Sequence, residues 1–152
     1  MENPIPLKGF IQIALVVSDI EKSLDSWCSL LNVSRPEIRV SKPIPNPNEI
    51  YRGEIACYGL KFAVIDCQER GFVIEVHEPD QNPSTFREFL DKHGNGVHHV
   101  GFEVGEARDA VVGELDAMGY ALRNIGMYPG GSWTIVDGED TLGVNLNIKP
   151  HP

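Results

Sequence analysis

The sequence predicts an α+β fold built from two tandem βαβββ modules, with helices covering one face of a mixed β-sheet. Two runs, Phe10–Val17 and Gly96–Val104, alternate with period two and carry many β-branched residues, as strands do. Each is followed by an amphipathic helical pattern. About three further strands follow each helix. The repeat is one of element order rather than residue identity.

The 152 residues suit one domain with a substantial core. Module one is expected at about 9–78, a linking helix at about 84–93, and module two at about 97–149. No apolar run approaches bilayer length, and Met1-Glu2-Asn3-Pro4 lacks the features of a signal peptide. The expected location is cytoplasmic. Cys28, Cys57 and Cys67 form no Cys-x-x-Cys pair and are read as free thiols. A net charge of −9 argues against nucleic acid, which favours a basic surface.

Residues 1–8 form a Pro-containing lead-in. In the first strand Ile11, Ile13, Leu15 and Val17 share one face, and Gln12, Ala14 and Val16 the other. Ser18 or Asp19 can cap the helix that runs to about Leu31, whose buried stripe is Ile20, Leu24, Trp27, Cys28 and Leu31. Glu37–Val40 is a candidate short strand. Ser41–Asn48, crossed by Pro43, Pro45 and Pro47, reads as a mobile loop. Such loops cover sites in some proteins and merely connect elements in others. Ile55–Asp66 and Phe72–His77 are strands joined by a turn around Gln68–Gly71.

Ser84-Thr85-Phe86-Arg87-Glu88 is a capped helix start, continuing to Lys92 and ended by Gly94–Gly96. In the next strand His98, Val100, Phe102 and Val104 face the core. His99, Gly101 and Glu103 line the opposite wall. Ala107–Met118 is a helix with Ala110, Val111, Leu115 and Met118 on its apolar face. Strands at Ala121–Ile125 and Ser132–Val136, a turn at Asp137–Asp140, and a last strand at Gly143–Ile148 complete the copy. Gly130-Gly131 lacks the spacing of a phosphate loop.

Polar residues recur on the face opposite the helices: Gln12, Glu75, His99 and Asn147, each on a largely apolar strand. Singly, each has an ordinary explanation. A strand histidine can be a satisfied core group, and Glu75 can be an edge residue or half of an ion pair. Together they mark a candidate site. Trp133, Tyr128 and Tyr58 can supply flat walls there or simply pack.

The segments Ile11–Leu24, Ile74-Glu75-Val76-His77-Glu78-Pro79, Gly96–Val104 and Leu142–Asn147, in this order and spacing, resemble the vicinal oxygen chelate superfamily. That group includes glyoxalase I, methylmalonyl-CoA epimerase, extradiol dioxygenases and bleomycin-resistance proteins. The resemblance implies a cup-shaped sheet with helices on its outer face and a homodimer. It also implies a divalent ion (Mn, Co, Ni, Zn or Mg) held by Gln12, Glu75, His99 and Asn147, although a metal-free form is known in the bleomycin-resistance branch.

Asn147 stands where Glu is common. An amide cannot serve as a general base near neutral pH. The base must then come from Glu75, His77, His99 or Glu103, with Glu75, His77 and His99 as the catalytic candidates. Glu103, Trp133, Tyr58 and Asn145 are the candidate substrate contacts. Iron-dependent oxygenases of the group use two His and a carboxylate, which this set does not supply. The resemblance implies an isomerase or lyase acting on a small carbonyl substrate through an enolate. The alternative is a metal-free binding protein that sequesters a drug-like ligand.

Overall fold

A computed structural model describes residues 3–152, and for Gln68 the backbone alone. The lead-in expected over residues 1–8 lies partly outside the described residues. Its described part ends in a 3-10 turn at Leu7–Gly9. The strands are β1 (Phe10–Val16), β2 (Arg39–Ser41), β3 (Asn46–Tyr51), β4 (Glu54–Ala56), β5 (Leu60–Cys67), β6 (Phe72–Pro79), β7 (Gly96–Glu103), β8 (Leu122–Tyr128), β9 (Gly131–Val136) and β10 (Asn145–Lys149). The helices are α1 (Ile20–Leu31), α2 (Thr85–His93), α3 (Arg108–Ala117) and the one-turn α4 (Glu139–Leu142).

The ten strands form one curled mixed sheet in the order β2-β5-β6-β1-β7-β10-β9-β8-β3-β4. The expected repeat is visible in its pairing. The first strand of each half runs parallel to the last of that half, β1 with β6 and β7 with β10. β1 and β7 meet antiparallel at the centre. Parallel neighbours need a crossover connection, which α1 and α3 help to provide.

The alternation read from β1 decides what each face meets. Leu15 and Val17 pack with Ile20, Leu24 and Trp27 of α1 and with Ile74 and Val76 of β6. Asp19 caps α1, accepting from the Lys22 N–H at 3.0 Å. In the second half Val111 and Leu115 of α3 pack on Val100, Phe102, Val136, Leu146 and Ile148. Met118 and Ala110, expected on this apolar face, are exposed instead, and Val112 packs there.

α1 and α3 cover the outer face. α2 lies on the inner one, where Phe86 and Phe89 cluster with Val16, and Trp133 packs against them. Phe86 stacks on His77 at 4.7 Å between ring centroids and lies 5.0 Å from His98. α2 therefore plugs part of the concave surface.

Several expected boundaries change. The loop expected over Ser41–Asn48 gives way at Asn46 to β3, which reaches across to pair with β8 of the second half. The single strand expected over Ile55–Asp66 is two strands: β4, at one end of the sheet, and β5, second from the other end. The turn expected at Asp137–Asp140 is largely taken up by α4.

Candidate functional site

The concave face brings together three of the residues singled out from the sequence. Gln12 on β1 donates through its amide nitrogen to the Glu75 carboxylate on β6. The same nitrogen lies 3.0 Å from Nε2 of His99 on β7. The neighbourhood is dry: Gln12 is 1% exposed and His99 2%. His77 joins the group, with Nε2 3.5 Å from Glu75 Oε2. Its Nδ1–H donates to the Leu15 carbonyl at 3.1 Å, and its ring lies between Phe62 and Phe86.

Desolvation dominates the electrostatics. Burial pushes the Glu75 carboxyl up to about 7, against the opposing pull of Lys149 and of the Gln12 hydrogen bond. Burial lowers His77 to about 4 and His98 to about 3, and holds His99 well below the ordinary imidazole value. All three rings are neutral at pH 7.

These shifts set a pH dependence of stability. The unfolded chain binds protons at its histidines from about 6.5 downward, while in the fold His77 resists until about 4, His98 until about 3, and His99 is held well below its ordinary value by burial. Their contribution is complete above 6.5 and is lost as pH falls toward 4. Glu75 has the opposite sign, since its folded pKa is raised, but it is one group against three. The melting temperature is expected to fall between pH 7 and pH 4.5 in a calorimetric series. A flat profile would contradict the neutral-imidazole assignment.

The remaining candidates are placed elsewhere. Asn147 Oδ1 accepts the Thr134 backbone N–H at 3.0 Å. Asn145 is fully buried, donating to Glu139 at 3.2 Å and accepting from the Gly138 N–H at 3.3 Å. Trp133 packs on Phe86 with ring centroids 6.2 Å apart. Glu103 lies near the end of β7, in register with Lys149. Tyr58 donates to Glu49 Oε1 at 2.6 Å.

Glu49 was not visible from the sequence. It lies in β3, is 7% exposed, and has its pKa raised by burial despite hydrogen bonds from Tyr58 and Asn124. With Tyr58, Lys42 and Asn46 it lines a cavity of about 150 Å³. Its only sequence signal is the alternation of Glu49 with Tyr51, which has meaning once β3 is recognised as a strand.

A cavity of about 160 Å³ opens beside Gln12, lined also by Phe72, Val73 and Lys149.

His98 corrects the face assignment. A register shift in the β1–β7 pairing sets Ala14 opposite His99 and Leu15 opposite Val97, leaving His98 as the extra residue of a bulge. It turns to the α2 side, against Phe86, Phe89 and His99, rather than to the outer core.

Gly101 is required by close approach. A Cβ there would lie 2.7 Å from the Gln12 Cβ and 2.6 Å from its Oε1. Gly101→Ala is expected to cost about 1–3 kcal/mol through overpacking and to push Gln12 off Glu75. Urea denaturation measures the first effect, and a cost near zero would show that Gln12 moves freely.

Of the four positions assigned to a metal by resemblance, Gln12, Glu75 and His99 converge, and Asn147 does not join their hydrogen bonds. Gln12 turns its nitrogen, not its oxygen, toward Glu75 and His99, and the Asn147 oxygen is committed to Thr134. Among the described residues no group of three His, Cys, Asp or Glu side chains is disposed to hold an ion. What converges is one carboxyl and neutral imidazoles, bridged by an amide.

The family model described as Glyoxalase/Bleomycin resistance protein/Dioxygenase superfamily matches residues 11–136. The fold is similar to methylmalonyl-CoA epimerase from Mycobacterium tuberculosis, with 19% identity, a TM-score of 0.62, and coverage of 100% of this chain and 94% of that one. It is also similar to a variant of the Streptomyces coelicolor methylmalonyl-CoA epimerase in complex with 2-nitronate-propionyl-CoA. There the identity is 17%, the TM-score 0.60, and the coverage 95% of this chain and 97% of that one. No curated protein matches the sequence.

Proposed function

Because the chain belongs to the glyoxalase/bleomycin resistance protein/dioxygenase superfamily, we propose that it is an isomerase or lyase that moves a proton next to the carbonyl of a small substrate. The carrying observation is Glu75, a carboxyl held on the concave face by Gln12 and raised by burial to about 7. A base with a pKa near the working pH combines a usable ionised fraction with real proton affinity. Glu75 takes the proton from the carbon beside the carbonyl, and the C–H electron pair moves onto the carbonyl oxygen to give an enolate. Returning the proton completes an isomerisation.

Lys149 lines the cavity beside Gln12 and offers an ammonium to the developing oxyanion. His77 and His99, being neutral, crowd Glu75 without adding charge. A homodimer in the cytoplasm completes the reading, in keeping with the free thiols of Cys28, Cys57 and Cys67.

The test is uptake of solvent deuterium at the carbon next to the carbonyl, followed by proton NMR over a panel of small 2-oxo acids, hydroxy ketones and acyl thioesters. Exchange on at least one class is expected. No exchange on any would sink the enzyme reading and favour a binding protein. Exchange that survives Glu75→Gln but not Glu49→Gln would move the base to the second cavity.

A further inference from the structure

His98 and His99 are neighbours in sequence, and a regular strand would send them to opposite faces. The bulge in β7 puts them in contact instead, with their two Nδ1 atoms 2.8 Å apart. His98 is 0% exposed and its other nitrogen is also engaged: Nε2 lies 2.9 Å from Thr85 Oγ1 and 3.2 Å from the Thr85 carbonyl oxygen.

That carbonyl breaks the symmetry. A backbone oxygen only accepts, whereas the Thr85 hydroxyl can accept or donate, so the arrangement that satisfies both oxygens puts the hydrogen on His98 Nε2, and a neutral His98 then has a bare Nδ1. The facing atom must donate, so the hydrogen of His99 sits on Nδ1. His99 Nε2 is left with a lone pair, which receives the Gln12 amide N–H at 3.0 Å. The remaining Gln12 N–H goes to Glu75. Each N–H from Gln12 through His99 to His98 has an acceptor, and reversing either ring alone sets two donors or two acceptors against each other.

We propose that His98 is a positioning residue that locks His99 in its Nδ1–H tautomer and, through Gln12, orients the Glu75 carboxyl. The anchor is the first turn of α2, so the helix that plugs the concave face also sets the direction of its hydrogen bonds. The proposal rests on the role assigned to Glu75 only for its catalytic consequence. The tautomer itself is measurable without a substrate.

The experiment is long-range proton–nitrogen correlation NMR on protein labelled with ¹⁵N-histidine, at pH 7.5. His99 is expected to show a protonated Nδ1 and a bare, pyridine-like Nε2. His98→Gln keeps an amide near the Nε2 position, facing Thr85, and removes the Nδ1 acceptor. It should move His99 to a mixed or Nε2–H population. His98→Asn places its amide oxygen near the former Nδ1 and should restore the wild-type pattern. An Nε2–H His99 in the wild type overturns the proposal whatever the variants do, and so does a His98→Gln spectrum identical to wild type. Absence of deuterium exchange on every carbonyl tested would remove the catalytic reading while leaving the tautomer result intact.

Discussion

Glu75→Gln is expected to lower carbonyl-linked proton exchange by about 10²–10⁴-fold, the usual contribution of a positioned general base. Glutamine keeps the size of the side chain and can still pair with Gln12 after an amide rotation, so the fold should survive. The wild-type rate should rise with pH as Glu75 ionises, bending near pH 7 where burial has placed its pKa. Sign and position both matter. An ordinary exposed glutamate would bend the profile near 4.5, and a catalytic imidazole lowered to about 4, as His77 is, would bend it there too. A bend near 7 that vanishes in Glu75→Gln identifies the carboxyl. An unchanged rate in the variant would remove it from the mechanism.

Arg123→Ala is expected to destabilise the protein by about 3–5 kcal/mol, the cost of breaking a buried ion pair from one side. The guanidinium is 3% exposed, with Nη2 2.6 Å from Glu139 and 2.8 Å from Asp137. Glu139 is itself 6% exposed and also meets His93 of α2 at 2.5 Å. Without Arg123 its carboxylate stays buried with no strong cation. The cluster continues through Glu88 of α2, which takes Tyr51 and Arg52 from the end of β3. These charges hold the plugging helix against the second half of the sheet. Urea denaturation measures the loss, and the double variant with Glu139→Gln should recover part of it because the stranded charge is gone. A loss below about 1 kcal/mol would mean that water reaches the cluster.

Much of this architecture was legible in the residues. The alternation in Phe10–Val16, the stripe Ile20-Leu24-Trp27 and the capped start at Ser84 are local signals, and each element formed where its signal lay. The concave cluster was partly legible for the same reason, since a strand residue's face follows from counting by two. Counting failed at His98, where one inserted residue changes the parity and nothing in the composition announces it. It also failed at β3. Pro45 and Pro47 break the local pattern there, and the pairing that makes it a strand, Ile50 with Ile125, joins residues far apart in the chain. Glu49 was hidden with it. Asn147 was placed on the correct strand, but the partner that claims its oxygen is a backbone amide on β9, which no side-chain pattern encodes.

The excursion of β3 and β4 also determines what the sheet leaves open at its ends. Both outermost strands, β2 and β4, are three residues long, and β3 pairs with the middle of β8 through Glu49–Tyr51. At β2 or β4 themselves a foreign strand would find only three residues of backbone, and Arg39 and Glu54 stand among them. Growth by addition of strands to β2 or β4 is thereby discouraged.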